Sequence, residues 1–275
     1  MKCRLLTSND FEDLYKTFYA AFSSENIKLQ PTRDEFEYRI YNKLHVDNDI
    51  SAVAFDGDNM IGFILHAANI FQGIPTAYNG GTGVLPGFRN QKTAEELYAY
   101  LIPKIQSKFL ARILLEVVEN NEHAIKLYEK IGFNFKRRFL CFKQVTRMKG
   151  TPAHEVVEGT ISDVDFDFMD FESSFLDSGE HLNLGTEKVL VAQVSEEVVG
   201  YLIFQPHIGR ISQLAVSRNY RRMGVAESLI LAAQEKTSKA LTIMNIPEDE
   251  VGFEAFLKQH GFENQVNQFE MELII

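Results

Sequence analysis

An internal duplication constrains the fold of this chain more than any other feature of its sequence. The run Met60–Leu65 recurs as Val198–Ile203, and the Gly-Phe pair that begins at Gly132 recurs at Gly261. The segments 84–89 and 216–221 also correspond, since each begins with Val and ends with Arg. The offsets are 138, 129 and 132 residues, far longer than the roughly 20–50 residues of a solenoid repeat. The pattern predicts two copies of one domain, the second having lost loop residues.

The boundary between the copies is predicted at 148–152, where turn and breaker residues cluster. The charge balance changes there. Residues 1–150 carry 20 Lys and Arg against 17 Asp and Glu, whereas residues 151–275 carry 8 against 21. We therefore predict a first domain at 1–148 and a shorter second domain at 153–275. The acidic second half argues against nucleic-acid binding, for which a basic face is expected.

Apolar patterning and cysteine usage favour a cytoplasmic protein with no membrane partner. No apolar run approaches the roughly 18–20 residues of a membrane helix, and the N-terminus turns polar after Leu6, unlike a secretory signal. Cys3 and Cys141 provide neither a disulfide framework nor a metal-like cluster. We expect two small buried residues in a reducing compartment, and no metal ion.

Turn signals and apolar periodicity predict an α/β fold with strands and helices in the same order in both copies. In the first copy, Thr7 and Thr32 indicate helix starts, Thr32 with a capping box, and Asp56-Gly57 indicates a hairpin. The first copy is predicted to have strands at 2–6, 50–55, 60–70, 76–85, 113–118 and 139–145, and later helices at 92–109 and 122–131. The second copy is predicted to have strands at 156–159, 189–194, 198–204, 211–216, 241–246 and 269–275, and helices from Ser162, at 222–238 and at 249–260.

The most informative segment of the second copy is an apolar strand, a short basic turn and an amphipathic helix. The first N–H groups of a helix lack intrahelical partners, and the macrodipole adds positive charge there, so the turn can hold a diphosphate. Small residues at the helix start let such a ligand approach closely. The alternative is an ordinary helix start with exposed arginines. The predicted binding residues are Ala215, Val216, Arg221, Arg222, Met223, Gly224, Val225 and Ala226.

The first copy has a related turn, in which Lys92 stands where the second copy has Gly224. The Lys92 side chain either narrows the approach of a ligand or adds an ammonium to phosphate binding. A nucleoside-triphosphate P-loop is excluded, because no Gly-Lys-Ser/Thr follows. The predicted binding residues are Val84, Leu85, Arg89, Asn90, Gln91, Lys92, Thr93 and Ala94.

A second informative segment of the first copy runs from a buried strand into a helix capped by Asn121. Ala124, Leu127 and Ile131 share one helical face. Tyr128 lies near the edge of that face, so its hydroxyl either reaches a cleft at the strand ends or is satisfied in the core.

These segments resemble the GNAT N-acetyltransferase superfamily. Its phosphate-binding pattern, Arg/Gln-x-x-Gly-x-Gly/Ala, is complete in the second copy, whereas the first copy has Lys92 in place of the glycine. Its later pattern, Asn-x-x-Ala-x-x-Leu-Tyr-x-x-x-Gly-Phe, is complete in the first copy. In the second copy only Gly261-Phe262 remains of that pattern, and Leu257 replaces the tyrosine.

The resemblance implies two tandem GNAT-like domains, each with a mixed sheet splayed between its fourth and fifth strands, and acetyl-CoA bound in the gap as cosubstrate. It implies that the backbone near Val84 binds the thioester carbonyl, that Asn121 and the helix starts contact CoA, and that Tyr128 protonates the leaving thiolate. The attacking amine must be neutral, so a base is needed. The candidate bases are Glu116, Glu119 and His66. We expect the first domain to be catalytic and the second to be non-catalytic or to bind CoA.

The acceptor is predicted to be a primary amine of a small molecule or a peptide, bound near residues 20–45 and 66–80. Aromatic residues there line either that pocket or the core: Phe22, Tyr38, Tyr41, Phe71 and Tyr78. One alternative, motivated by Lys92, is a non-catalytic protein that senses CoA or binds a partner. The other is a structural fold without a ligand.

Overall fold

A computed structural model describes residues 1–23, 30–182 and 187–275. The chain divides into two compact units. Unit 1 contains residues 1–136 and 270–275, and unit 2 contains residues 137–269. Residues 137–148, which the sequence places in the first copy, thus pack in unit 2, and the last six residues pack in unit 1. Residues 24–29, part of the predicted acceptor region, lie outside the described residues.

Unit 1 is a mixed sheet with helices. Its first four strands form an antiparallel meander, and its fifth strand is parallel to the fourth. The strands are β1 (Lys2–Leu5), β2 (Ala52–Asp56), β3 (Asn59–Phe71), β4 (Ile74–Val84), β5 (Arg112–Val118) and the start of β6 (Asn134–Gln144). The helices are α1 (Phe11–Phe22), α2 (Arg33–Tyr38), α3 (Thr93–Ser107) and α4 (Glu122–Ile131).

Unit 2 repeats this plan, with β6 continuing into its sheet and pairing with the fifth strand of the repeat. Its own strands are β7 (Glu155–Gly159), β8 (Lys188–Val194), β9 (Glu197–Gln205), β10 (Arg210–Val216), β11 (Thr242–Pro247) and β12 (Phe262–Ile274). Its helices are α5 (Gly179–Leu182), α6 (Val225–Glu235) and α7 (Val251–Gln259).

The fourth and fifth strands of each unit separate at their carboxyl ends, as the resemblance implied. In unit 1, β4 and β5 pair only from Thr76 opposite Arg112 to Asn79 opposite Leu115, although β4 continues to Val84. In unit 2, β10 and β11 pair in parallel only at their first two positions. Each unit therefore leaves a gap where a β-strand leads into a helix start.

The carboxyl end of β12 lies beside β5 in unit 1. The Ile275 N–H donates to the Ala111 carbonyl (3.1 Å). The Arg112 guanidinium, 3% exposed, pairs with Glu272 (2.8 Å) and donates to the Thr76 hydroxyl and the Phe71 carbonyl. A buried cation at the start of β5 thus takes its counter-ion from a segment far along the chain.

The helix predicted from Ser162 is wrong: residues 161–177 form short 3₁₀ turns instead. Asp163 accepts a hydrogen bond from the Thr160 N–H (2.7 Å), and Asp165 accepts one from the Asp167 N–H (3.0 Å). Such local side-chain bonds compete with helix hydrogen bonding.

The remaining elements occur where the sequence predicted them, with several shifted ends. The helix start after Thr7, the capping box at Thr32 and the bounds of α4 are confirmed. However, β6 and β12 start earlier than predicted, and α6 starts later than 222. Cys141 is buried and Cys3 is half-buried, both as free thiols. Within the three described ranges, no helix combines the length and apolarity needed to span a bilayer.

Candidate functional site

The loop between β4 and α3 places backbone donors at the start of α3. Asn90 and Lys92 adopt left-handed conformations (φ 60° and 63°), and the first bond into the helix runs from the Glu96 N–H to the Lys92 carbonyl (2.9 Å). Within the described part of the chain, the N–H groups of Lys92, Thr93 and Ala94 donate to no acceptor. These are the donors that bind anions at helix starts.

Unit 2 builds the same loop from different residues. Arg222 and Gly224 take the two left-handed positions (φ 62° and 83°), and α6 follows at Val225. A Cβ added at Gly224 would meet nothing closer than the Ala153 Cβ at 3.5 Å, so this position accepts a side chain without a clash. Lys92 therefore fits the loop sterically, and its penalty is the left-handed backbone, about 1–2 kcal/mol.

The arginine that opens each loop is held by protein carbonyl groups. Arg89 donates through Nε to the Val84 carbonyl (3.3 Å) and through Nη2 to the Ala21 carbonyl (2.7 Å). Arg221 donates likewise to the carbonyls of Val216 (3.0 Å) and Phe168 (3.3 Å). Both guanidinium groups thus tie the loop to the preceding strand and to a distant segment of the same unit.

A glycine on the neighbouring strand lets each helix start lie close to the sheet. A Cβ at Gly62 would lie 3.2 Å from Cγ2 of Thr93, the first residue of α3. A Cβ at Gly200 would lie 2.8 Å from Cγ1 of Val225, the first residue of α6. The sequence echo between 60–65 and 198–203 therefore has a physical cause, because any larger residue would push the helix start away from the strand.

The backbone of Val84 faces the gap between β4 and β5. The next N–H, of Leu85, donates to the Ile61 carbonyl on β3 (2.9 Å). Because successive N–H groups of a strand point to opposite edges, the Val84 N–H points toward β5, beyond the last paired residues. Unit 2 repeats this arrangement, since the Ser217 N–H donates to the Val199 carbonyl (2.9 Å).

Tyr128 lies on α4 with its phenol near the end of β4. The helix starts as predicted, with Asn121 accepting from the Ala124 N–H (3.2 Å), and ends at Gly132 (φ 113°). The Tyr128 side chain is buried, and its ring packs edge-on against Tyr98 and Phe133. Burial raises the pKa of Tyr128, and the nearby Thr82 hydroxyl opposes that rise. Since Thr82 lies two residues before Val84, the phenol lies beside the splayed strands.

Unit 2 has no phenol at the corresponding place. Leu257 is fully buried there, and Phe253 replaces the small Ala124. Phe253 and Phe171, with ring centroids 5.8 Å apart, line the gap between β10 and β11. The space open to the centre of a water molecule in this gap is about 10 Å³, room for roughly one water.

Two of the candidate bases are committed to contacts inside unit 1. His66 is fully buried, and its Nδ1 donates to the Ile50 carbonyl (2.7 Å). Burial lowers the pKa of His66 to about 4, so the ring is neutral at pH 7. Glu116 accepts a hydrogen bond from the phenol of Tyr78. Glu119 is half-buried in the turn before α4.

The predicted acceptor residues divide between core and surface. Phe71 is buried below Arg112, and Tyr78 is buried beside Glu116. Tyr41 is 46% exposed and stacks on Phe11, while Tyr38 and Phe22 are half-buried. Only Tyr41 therefore presents a large aromatic surface.

Sequence reasoning missed a polar cluster below Tyr128, formed by Asn79, Thr82 and Tyr98. The cluster belongs to unit 1 and joins β4 to α3. One signal was available, since polar Asn79 and Thr82 interrupt a strand whose neighbours are buried, and buried polar side chains are uncommon without a partner.

Comparison with known proteins identifies both halves. Residues 11–133 match the model of the acetyltransferase (GNAT) family, and residues 168–275 match that of an acetyltransferase (GNAT) domain. N-alpha-acetyltransferase 30 of Schizosaccharomyces pombe is 24% identical over 131 residues, which cover 47% of this chain and 83% of that protein.

Two solved structures share the fold of the whole chain. A tandem GNAT protein from the clavulanic acid biosynthesis pathway, solved without AcCoA, is 15% identical, with a TM-score of 0.73 over 99% of this chain and 98% of that one. A GCN5-related N-acetyltransferase from Sphaerobacter thermophilus is 14% identical, with a TM-score of 0.71 over 99% and 95%. With a family match in each half and the same splayed sheet in each unit, this chain belongs to the GNAT acetyltransferase family as a tandem, two-domain member.

Proposed function

We propose that the protein transfers an acetyl group from acetyl-CoA to a primary amine, and that the chemistry takes place in unit 1. One observation carries this proposal. Unit 1 combines a helix start with free N–H donors and a buried phenol, Tyr128, at the same splayed strand ends. Unit 2 has the helix start and a leucine in place of the phenol.

The start of α3 suits the diphosphate of CoA. The N–H groups of Lys92, Thr93 and Ala94 supply donors, and each interaction with a helix end contributes about 0.3–1 kcal/mol. Several such contacts are needed for useful affinity, and the exposed ammonium of Lys92 adds charge beside them. With the diphosphate at this end, the acyl arm extends along the gap between β4 and β5.

In the transfer step, the amine nitrogen forms a bond to the thioester carbonyl carbon, and the carbon–sulfur bond breaks. The Val84 N–H is directed to stabilise the developing oxyanion, a contact worth about 3–4 kcal/mol. Tyr128 gives its phenolic proton to the departing sulfur. His66 is poorly placed to act as the base, since it is fully buried and its Nδ1 donates to the Ile50 carbonyl.

We further propose that unit 2 is non-catalytic. Leu257 has no proton to donate, and Phe171 and Phe253 narrow the gap. Its loop nevertheless keeps the left-handed geometry at Arg222 and Gly224, which supports retained CoA binding rather than turnover.

The test is the release of CoA thiol from acetyl-CoA across a panel of amines. The name of the Schizosaccharomyces pombe relative makes peptide α-amines the first class to try, followed by lysine side chains and small primary amines. We expect release that depends on one amine class. If no amine on the panel causes thiol release, while CoA binding is measurable, the transferase is refuted and a CoA-sensing protein is favoured.

A further inference from the structure

The gap between β10 and β11 contains side chains of unit 2 itself. Phe171 and Phe253 line this gap, and their ring centroids lie 5.8 Å apart. The space left open to the centre of a water molecule is about 10 Å³, room for roughly one water. The arm of CoA that carries the thioester is many times larger than a water molecule, so it does not fit into the gap in this conformation.

Phe253 is held at the gap by neighbours in unit 2. Its ring stacks on that of Phe256, one turn further along α7 (centroids 6.2 Å apart, planes at 25°), and both rings pack against the apolar core of unit 2. Phe253 stands 129 residues after Ala124, which is the offset between the two Gly-Phe pairs. Unit 1 therefore has a methyl group at the position where unit 2 has an aromatic ring.

Phe171 begins a segment, 171–177, that β10 holds in place. Gln213 Nε2 donates to the Asp177 carbonyl (2.6 Å), and Arg210 donates to both carboxylate oxygens of Asp177 (2.7 and 2.8 Å). Gln213 and Asp177 are only 2% and 3% exposed, so moving this segment away would leave buried polar groups without partners. Unit 1 has Gly81 at the position of Gln213, 132 residues earlier, and a glycine has no side chain to hold such a segment.

We propose that Phe171 and Phe253 exclude the acyl arm of CoA from unit 2. Unit 2 then binds CoA by its nucleotide end alone, at the start of α6, and does not distinguish acetyl-CoA from free CoA. This inference rests on the proposed binding of CoA to unit 2.

The exclusion has a consequence for what each unit responds to. The acetyl group lies at the far end of the arm, so a unit that holds only the nucleotide makes no contact with it. The arm could enter unit 2 only if both rings left the apolar core, and exposing aromatic surface to water opposes that movement. Unit 2 therefore responds to the total concentration of CoA and its thioesters, whereas unit 1 consumes acetyl-CoA.

The experiment is hydrogen exchange resolved by peptide, on the whole chain, titrated with three ligands. These are acetyl-CoA, free CoA and adenosine 3′-phosphate 5′-diphosphate, which is the nucleotide end of CoA alone. In unit 2 we expect all three to protect the start of α6 with midpoints that agree within about twofold. In unit 1 we expect the two CoA ligands to protect 80–84 as well as the start of α3. Protection by CoA that reaches 212–216 in unit 2, at a lower midpoint than for the nucleotide, would overturn the exclusion.

Phe253→Ala gives unit 2 the residue that unit 1 has at this position. We expect the midpoint for CoA at unit 2 to fall about tenfold, because the arm can then bury apolar surface in the gap, and the midpoint for the nucleotide to stay unchanged. Phe256→Ala is the matched control, since this ring lies on the same helix and packs on His260 (centroids 4.3 Å apart). It should leave the midpoints for CoA and the nucleotide equal.

Ala124→Phe is the reciprocal variant, and it keeps the proposal testable should Phe253→Ala unfold. It should lower kcat/KM for acetyl-CoA at least tenfold and leave binding of the nucleotide at the start of α3 unchanged. If Ala124→Phe transfers acetyl groups at the full rate, or if Phe253→Ala folds and still binds CoA and the nucleotide equally in unit 2, the exclusion is wrong. A chain in which none of the three ligands protects the start of α6 would instead refute the proposed binding of CoA to unit 2.

Discussion

The two helix starts, at 89–94 in unit 1 and 221–226 in unit 2, follow the same backbone path from different residues. Both have left-handed residues at the second and fourth positions, an arginine tied to the preceding strand, and a glycine below the helix. Yet unit 1 has Lys92 where unit 2 has Gly224, and unit 1 has Tyr128 at the position where unit 2 has Leu257. The loop geometry thus persists without its glycine, whereas the acid does not persist in unit 2.

This comparison separates binding geometry from chemistry. Backbone donors depend on φ and ψ angles, which several residues reach at a modest cost. Proton donation depends on one side chain in one position, and Leu257 at that position of unit 2 cannot donate a proton. A degraded phosphate motif is therefore a weaker argument against catalysis than the loss of the tyrosine.

The largest expected effect comes from removing the buried phenol of Tyr128, with the buried phenol of Tyr201 as the matched control. Tyr128→Phe in unit 1 should lower kcat at least tenfold, and general acid catalysis commonly contributes about 10²–10⁴-fold. Tyr201→Phe in unit 2 removes a buried hydroxyl that donates to Gln213 (2.8 Å) and should leave kcat unchanged. Thiol release under saturating substrates measures both. Full activity in Tyr128→Phe would show that the chemistry lies elsewhere.

The next effect concerns one arginine–carboxylate pair in each unit. Arg210 is held by both oxygens of Asp177 (2.7 and 2.8 Å), and the Asp177 side chain is 4% exposed. Asp177→Ala should cost about 3 kcal/mol, because it leaves the Arg210 guanidinium, whose side chain is only 14% exposed, without its carboxylate. Glu272→Ala should cost less, about 2 kcal/mol, because Glu272 is 24% exposed and Arg112 keeps three other acceptors.

Hydrogen exchange resolved by peptide would assign each loss to its unit. Glu254→Ala removes a partly exposed i,i+4 partner of Lys258 on α7 and serves as the control, with a change below about 0.5 kcal/mol. A larger loss from Glu272→Ala than from Asp177→Ala would contradict the order.

The third effect compares how strongly acid weakens the capping box of each unit. Hydrogen bonds from Arg4 lower the pKa of Asp10 from 3.8 to about 2, whereas Asp163 has its pKa lowered only by Thr160. A depressed pKa stabilises the folded state above the unfolded pKa, and that stability is lost as pH falls toward the folded value. Asp10→Asn should therefore cost about 1–2 kcal/mol at pH 7, and this cost should become small by pH 2 and disappear below it.

Asp163→Asn should cost less at pH 7, because Asp163 lacks the arginine partner. Urea titrations at several pH values, followed by circular dichroism, measure both variants. A cost of Asp10→Asn that is the same at pH 2 and pH 7 would mean that its charge is irrelevant.

The smallest expected effect is an exchange of the fourth loop position. Gly224→Lys should cost about 1 kcal/mol, because lysine must adopt a left-handed backbone. Lys92→Gly should gain less than about 1 kcal/mol, since the more flexible unfolded chain offsets part of the relief. Lys92→Gln keeps the strain and removes the charge, so it is the control for both. Thermal unfolding measures these shifts, and a loss of stability in Lys92→Gly would mean that the lysine side chain supports the loop.

Local signals in the sequence were sufficient for much of the fold. The capping residues Thr7, Thr32 and Asn121 and the stop at Gly132 predicted helix ends, because these signals act within one turn. The helix predicted from Ser162 failed because closely spaced aspartates favoured local turns.

Local sequence signals could not predict contacts between segments that are far apart in the chain. The placement of 137–144 in unit 2 and of 270–275 in unit 1 depends on which strand fills each sheet position, and an apolar strand suits either sheet. Sequence motifs predicted two parts of the site, namely the helix starts and Tyr128. The polar cluster of Asn79, Thr82 and Tyr98 was not predicted, since it depends on how β4 and α3 pack together.

The pairing of Glu272 with Arg112 has a consequence for synthesis on the ribosome. Chains commonly fold one domain at a time, beginning with the amino-terminal one. Here β5 waits for a neighbour that lies 160 residues later in the chain, so unit 1 remains incomplete while most of unit 2 is being translated. During that interval the open edge of β5 and the unpaired Arg112 guanidinium are the groups a nascent-chain chaperone would meet.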